Sequence, residues 1–561
     1  MNILRRSVPE SIAELRAAGM SEVLARVYAA RGVSSVAELD CGFSGLPPWS
    51  GLKGIESAAK RLADAIRRGE RMLIVADYDA DGATACAVGL RGLTAMGGLV
   101  DFLVPNRFEF GYGLTPEIVA LAGDRRPALI ITVDNGIASV DGVAAAHARG
   151  IDVLITDHHL PGDRLPDTPW IVNPNQPGCD FPSKHLAGVG VMFYVLRALR
   201  ATLRRAGHFS SAPEPNLAAL LDLVALGTVA DVVRLDRLNR ILVEQGLRRI
   251  RAGRMQPGVA ALLAAGGRDP RRATTYDLGF VAGPRINAAG RLADMSTGIA
   301  CLVTDDPATA RRLALELDRL NDERRGIEAT MQDEALAVLE APVDIEASTL
   351  CLYRREWHQG VVGVVASRLK DRYHRPTMVF AQAGNGELRG SGRAIAGFHL
   401  RDALDLVAKR APGMIIRFGG HAFAAGLSLP EGELSRFAEA FEQVGKEWLS
   451  LAQLQRRIET DGALAAEELT LGLAQEFEST VWGQGFPRPS FDNEFKVVAQ
   501  RPVGGKHLRL ALTLGDKDFE AILFNQTDIL PRRIRAAYRP EVHRYQGMVS
   551  LQLVIEHWES V

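Results

Sequence analysis

MLIVADYDADG, Met72 to Gly82, is a run of apolar residues that ends in three alternate aspartates, Asp77, Asp79 and Asp81, and a glycine. An unbroken apolar run of this length, without polar alternation, is what a strand buried on both faces presents. Two later runs end the same way: IITVD at Asp134 and VLITD at Asp157. Further apolar runs lie at Val100–Val104 and Trp170–Val172, and segments of helical composition such as Ala83–Ala95 and Val140–Arg149 lie between most of them. Strands alternating with helices predict a doubly wound α/β unit with a parallel sheet.

In an open parallel sheet all strand C-termini share one edge, and ligands bind there. Three acids separated by tens of residues are thus expected to converge. Aspartates gathered in a buried place repel one another, and a bound cation compensates them. In an extended segment alternate side chains share a face, so Asp79 and Asp81 can point at one site. Gly82 permits a tight exit turn into a helix whose N-terminus favours anions. Asp157 is followed by His158 and His159, and imidazole beside carboxylate suits Mn²⁺, Zn²⁺ or Fe²⁺ better than Ca²⁺. Asp231, in GTVADVV, follows a predicted helix and can close the ligand set. Alone, a DxDxDG run fits a solvated turn, and a His-His pair is weak. Their conjunction predicts a dinuclear centre, with Asp134 as the bridging carboxylate because its strand is expected to be central. Two such ions are the standard apparatus for in-line displacement at phosphorus. The chain has no GxxxxGK[ST] loop, which disfavours an ATP-driven helicase or kinase.

The remainder of the 561 residues exceeds what one hydrophobic core can organise. Residues up to about Val33 read as helical, and helices are predicted at Lys184–Arg205, Asn216–Val229 and Leu238–Arg251. A long amphipathic stretch, Pro307–Glu340, is expected to act as a strut between two lobes. The second lobe begins with the strand TLCLY and the helix VVGVVASRLKDRY. At the C-terminal end FKVVAQ, HLRLALTL and FEAILFN are separated by PVGGK and GDKD, and MVSLQLVIEHW follows after a longer link. That meander predicts a small β-barrel. The division read from these features is an N-terminal helical segment at 1–50, a catalytic α/β domain at 51–265, and a motif segment with linker helix at 266–345. A second α/β domain at 346–450 and a barrel at 451–561 complete it.

Composition excludes several classes. With 66 basic and 67 acidic residues the chain carries no strong field, unlike a generic nucleic-acid polycation. No apolar run approaches the roughly 18 residues that cross a bilayer, and the N-terminus lacks the apolar core of a signal peptide. Five scattered cysteines without CxxC spacing fit a reducing cytoplasm rather than a disulfide framework.

ADYDADGATA, ITVDNG and TDHH resemble the signature blocks of the DHH phosphoesterase superfamily. PNRFEFGYGL (105–114), LGTVADVVRLDRLNR (226–240), PRINAAGRL (284–292), WHQGVVGVVASRL (357–369), SGR (391–393) and FGGHAFAAG (418–426) narrow the resemblance to the RecJ family, the single-strand-specific 5′→3′ exonucleases of bacteria. It covers nearly the whole chain. The resemblance implies a DHH-type parallel-sheet domain, a long connecting helix, a DHH-associated α/β domain and an OB-like barrel. It assigns Asp79, Asp81, Asp134, His158 and Asp231 as metal ligands, with Asp77 in the same motif. His159 falls near the scissile phosphate, and Asp157 is expected to orient the histidines. The ions implied are two divalent cations, Mn²⁺ before Mg²⁺.

The arginine motifs are expected to grip phosphates through Arg107, Arg285, Asn287 and Arg291. Ser391, Arg393 and His421 are expected to form a pocket for the terminal 5′ phosphate, and Tyr112, with Phe108 and Phe110, to stack on bases. The activity implied is hydrolysis of single-stranded DNA to 5′-mononucleotides in recombination and repair. Single-strand-binding protein and a helicase are the partners implied, no membrane is involved, and a monomer is expected. One alternative is a DHH phosphoesterase acting on short oligonucleotides or small phosphoesters. The other is a non-catalytic strand-binding scaffold. The strut and barrel argue against the first, and the complete acidic set argues against the second.

Overall fold

The computed structural model describes residues 2–105, 113–210, 213–340 and 347–561. The chain divides into two compact units: Met1–Leu4 with Asn321–Ile458, and Arg5–Leu320 with Glu459–Val561. The division falls inside a single helix, Pro307–Glu340.

The chain starts with a strand, β1 (Asn2–Arg5), not with the helix expected; short helices follow at Ile12–Ala17 and Glu22–Ala29. The larger unit then forms a parallel sheet from β2 (Arg71–Ala76), β3 (Leu99–Leu103), β4 (Leu129–Val133), β5 (Asp152–Thr156) and β6 (Ile171–Val172), in the order β3-β2-β4-β5-β6. β4 is therefore the middle strand, as anticipated. The chain leaves β2 to one side and returns to add β4 on the other, so a topological switch point lies between β2 and β4. Every residue of β4 is buried, in keeping with its unbroken apolar run.

One face of the sheet is covered by Ala80–Ala95 and Gly188–Arg205, and Leu221–Ala230 packs on these two helices. Ala80–Ala95 is built from alanine, glycine and other small residues and is buried along most of its length, which lets neighbouring backbones approach closely. Gly188–Arg205 starts four residues later than its composition suggested, and a 3₁₀ turn, Leu217–Leu220, precedes Leu221–Ala230.

In the smaller unit β7 (Leu350–Tyr353), β8 (Thr377–Gly384), β9 (Glu387–Arg393), β10 (Arg417–Gly420) and β11 (Ala424–Pro430) form a sheet ordered β10-β11-β9-β8-β7. Only β7 and β8 run parallel; the other pairs are antiparallel. Phe380, Phe398, Phe437 and Phe441 are fully buried here and pack edge-on or stacked.

β12 (Arg457–Thr460), which pairs with β1, leads back to the larger unit and its closed barrel. The barrel strands are β13 (Phe491–Val503), β14 (His507–Leu514), β15 (Lys517–Leu523), β16 (Arg533–Tyr545) and β17 (Met548–Ser560), in the order β13-β14-β15-β17-β16. β16 corrects the sequence reading, which took these residues as a link. Its four arginines and Pro540 obscure the pattern, and a bulge between Ala537 and Tyr538 breaks the alternation. All five cysteines are free, and no helix among the described residues is long and apolar enough to cross a membrane.

Ion pairs with buried carboxylates fasten the chain's start to the segment after β12 and to β13. Arg31 meets Asp461 at 2.7 Å with both side chains buried. The fully buried Asp492 carboxylate accepts from Arg5 at 2.9 Å, Arg535 at 2.8 Å and the Thr460 hydroxyl at 2.5 Å. Burial alone raises the Asp492 carboxyl, but hydrogen bonds from Arg5, Thr460 and Arg535 outweigh it and hold the group below the usual carboxylate range. Its contribution is therefore complete at neutral pH and is lost as pH falls through the acid range. We predict that Asp492→Asn lowers unfolding free energy by about 2 kcal/mol at pH 7. The difference from wild type should shrink below about pH 4 in denaturant titrations.

Candidate metal centre and nucleic-acid interface

Register sets the centre. Ala76 pairs with Val133, and Val133 with Thr156, so the next residue on each strand is an aspartate beside its neighbour: Asp77, Asp134 and Asp157. The backbone ladder continues one step into them, because the Asp77 N–H donates to Val133 and the Asp134 N–H to Thr156. Asp134 then takes φ of 62°, a left-handed conformation rare for a side chain and characteristic of functional turns.

Asp79 caps the helix Ala80–Ala95, its Oδ1 accepting from the Asp81 and Gly82 amides at 2.9 and 3.0 Å. Asp81, one residue inside that helix, accepts from the Gly188 and Val189 amides at 2.6 and 2.9 Å, at the N-terminus of the neighbouring helix. Gly188 is required there, since a Cβ would lie 2.7 Å from Asp134 Oδ1. Asp231 follows Leu221–Ala230 directly. His158 Nε2 lies 3.0 Å from Asp134, 3.6 Å from Asp231 and 4.0 Å from Asp81.

Three groups of candidate ligand atoms result, each within 4.8 Å of one another: Asp77, Asp79 and Asp134; Asp81, His158 and Asp231; Asp134, His158 and His159. Asp134 and His158 each belong to two of them. Burial first, then mutual repulsion, pushes Asp81 and Asp231 each up to about 7 and Asp134 well above the carboxylate range. Burial pushes the His158 imidazole down. His158 Nε2 and Asp231 Oδ2 are buried and have no hydrogen-bond partner among the described residues. Acceptors crowded together, repelling and unmet by donors, fit divalent cations.

Asp157 faces the other way electrostatically. Its carboxylate accepts from the amides of Ile137, His158 and His159 and from His159 Nδ1 at 2.8 Å. Burial opposes ionisation, yet these bonds keep it below the usual range. The same contact raises His159 to about 9 against the opposing effect of burial. Asp157 thus fixes the direction of the His159 ring and favours its charged form.

The other residues singled out in the sequence are distributed as follows. Arg107 and Tyr112, with Phe108 and Phe110, lie outside the described residues. Arg285 bonds Asp318 at 2.8 Å and the Val281 carbonyl at 2.7 Å, so its guanidinium is engaged within the protein. Asn287 Oδ1 accepts from the Ala80 amide at 2.8 Å, placing it on the aspartate loop. Arg291 occupies the last turn of the helix Gly283–Leu292.

In the smaller unit, Ser391 and Arg393 share the same face of β9, and Arg393 Nη1 donates to Ser391 Oγ at 3.3 Å. A Cβ on Gly363, in the first turn of Val362–Tyr373, would lie 2.8 Å from Ser391 Oγ and 3.1 Å from Arg393 Nη2, so this pair faces a helix N-terminus. His421 lies in the turn before Ala424, the cross-strand partner of Arg393.

Sequence reasoning passed over a cavity of about 850 Å³ in the larger unit, flanked by Val232 just after Asp231, by Tyr276 and Phe280, and by barrel-side Arg488, Arg539 and Arg544. Tyr276 and Phe280 are 57% and 71% exposed yet stack on each other at 5.1 Å. They are four residues apart at a π-helical turn, Asp277–Ala282, and the cavity they flank is closed by residues remote in sequence.

Residues 71–228 match the DHH family, N-terminal domain; residues 346–447 match the DHHA1 domain; residues 460–557 match the RecJ OB domain. The chain is 50% identical to the single-stranded-DNA-specific exonuclease RecJ of Salmonella typhimurium, over 99% of this chain and 98% of that protein. Identity to the Escherichia coli RecJ is 48% over the same shares. The crystal structure of a Thermus thermophilus RecJ in complex with Mn²⁺ superimposes with a TM-score of 0.84 at 30% identity, covering all of this chain and 80% of that one. The buried acidic centre thus sits in a fold shared along its whole length with a metal-bound relative, and the chain belongs to the RecJ family of single-stranded-DNA-specific exonucleases.

Proposed function

We propose that this protein is a metal-dependent exonuclease that degrades single-stranded DNA 5′→3′ to 5′-mononucleotides. The observation that carries the reading is the row of Asp77, Asp134 and Asp157 at the switch point of the sheet, facing His158 and Asp231. Asp77, Asp79, Asp81, Asp134, His158 and Asp231 would hold two divalent cations, Mn²⁺ before Mg²⁺, with Asp134 shared. Such a pair supplies Lewis acidity for in-line hydrolysis of a phosphodiester. Asp157 orients His159, which would meet the scissile phosphate through its other ring nitrogen.

Ser391, Arg393 and His421 would seat the terminal 5′ phosphate, Arg393 contributing charge and the nearby helix N-terminus its amides. Arg107, Arg291 and Tyr112 complete the strand contacts in this reading, and the stacked Tyr276 and Phe280 add a base platform beside Asp231. The case for a strand in that cavity rests on stacking, which is sequence-tolerant, because the barrel-side Arg488, Arg539 and Arg544 are paired with Glu541, Glu556 and Glu478. We further place the enzyme as a monomer in a reducing cytoplasm, in recombination and repair, with single-strand-binding protein and a helicase supplying unwound ends. Action on short oligonucleotides or small phosphoesters is disfavoured by the barrel.

Asp134→Ala should lower hydrolysis of a 5′-labelled single strand by about 10³-fold or more, while strand binding measured by anisotropy stays within a few-fold. Wild-type turnover should stop in chelator and return with Mn²⁺. Degradation of a 5′-blocked strand as fast as an open one would reverse the polarity assigned here. Arg393→Ala should reduce the preference for a 5′-phosphorylated over a 5′-hydroxyl end about tenfold, the size of one lost charged contact; an unchanged preference removes the pocket. The double variant Tyr276→Ala/Phe280→Ala should raise KM for long strands about tenfold with little change for dinucleotides.

A further inference from the structure

The helix capped by Asp79 has no amide to spare for a phosphate within its first three residues. Asp79 Oδ1 accepts from Asp81 and Gly82, and the remaining amide, Ala80, donates to Asn287 Oδ1 at 2.8 Å. Asn287 comes from a different part of the chain, the helix Gly283–Leu292. That helix is pressed onto the loop: a Cβ on Gly290 would overlap the Tyr78 carbonyl oxygen. Its own position is held by Arg285 on Asp318 and by the buried Ile286, Ala288 and Ala289.

The sequence motif suggested that Asn287 grips a DNA phosphate. The geometry points to another role: we infer that Asn287 is a positioning residue for the metal loop, joining Gly290 in clamping Tyr78–Asp81 so that Asp79 and Asp81 face the cations. It acts through the Ala80 amide and touches neither substrate nor reacting atoms. An amide oxygen suits this position because it accepts a hydrogen bond without adding charge to a site already crowded with carboxylates. Loss of such a supporting contact typically weakens a metal site 10- to 100-fold. The inference rests on the two-cation reading above.

The test measures Mn²⁺ binding directly, by calorimetry on the full chain without DNA, beside steady-state kinetics. Asn287→Ala should weaken Mn²⁺ binding about tenfold and raise the Mn²⁺ concentration for half-maximal activity in parallel. At saturating Mn²⁺, KM for single-stranded DNA should stay within twofold of wild type. Asn287→Asp, which keeps the acceptor, should bring Mn²⁺ binding back to within a few-fold of wild type. A phosphate-gripping residue gives the opposite pattern: unchanged Mn²⁺ binding, a raised KM in Asn287→Ala, and a still higher KM in Asn287→Asp from charge repulsion. Either unchanged Mn²⁺ binding in Asn287→Ala or failure of Asn287→Asp to recover it overturns the inference. Absence of Mn²⁺ binding by the wild-type chain would instead remove the two-cation reading itself.

Discussion

Placing Asp77, Asp79, Asp81, Asp134, Asp157 and Asp231 at one end of one sheet costs electrostatic energy that the hydrophobic core cannot supply locally. The protein handles them in two ways. Asp157 is saturated with three amide donors and an imidazole, and remains comfortably ionised. Asp81, Asp134 and Asp231 are left to repel one another, and their carboxyls rise. The contrast separates a supporting carboxylate from groups awaiting positive charge. Cation binding and local folding are therefore linked, since ions relieve a repulsion built into the folded state.

That arrangement depends on backbones approaching more closely than side chains would allow. Gly188 lets the helix after it come within contact of Asp134 and donate to Asp81. Gly290 lets another helix rest on the Tyr78 carbonyl. Neither glycine is a ligand, yet each sets where ligands can be. The left-handed Asp134 is a further cost that only a well-packed surround sustains.

Much of this was legible in the residues. The apolar runs before Asp77, Asp134 and Asp157 pointed to the parallel sheet, the shared edge and the central place of β4, because buried parallel strands cannot hide their composition. What escaped was set by tertiary contact or irregular backbone. β16 is masked by arginines, Pro540 and a bulge. The Tyr276–Phe280 stack flanks a cavity whose other walls are remote in sequence. Arg285 and Asn287 sit in a motif rich in phosphate-like chemistry, but Asp318 and the Ala80 amide, both remote in sequence, engage them.

The larger unit is discontinuous: Asn321–Ile458 is an insertion within it. Arg5 and Arg31 find their carboxylates at Asp492 and Asp461, 487 and 430 positions further on. During synthesis the amino-terminal segment must therefore wait, its guanidinium groups hydrated, while the inserted lobe emerges and can already collapse. Arg31 gains its partner once Asp461 clears the ribosome and Arg5 only with the first barrel strand, so a nascent chain stalled before residue 461 holds a catalytic sheet whose amino-terminal neighbour has no carboxylate to dock on.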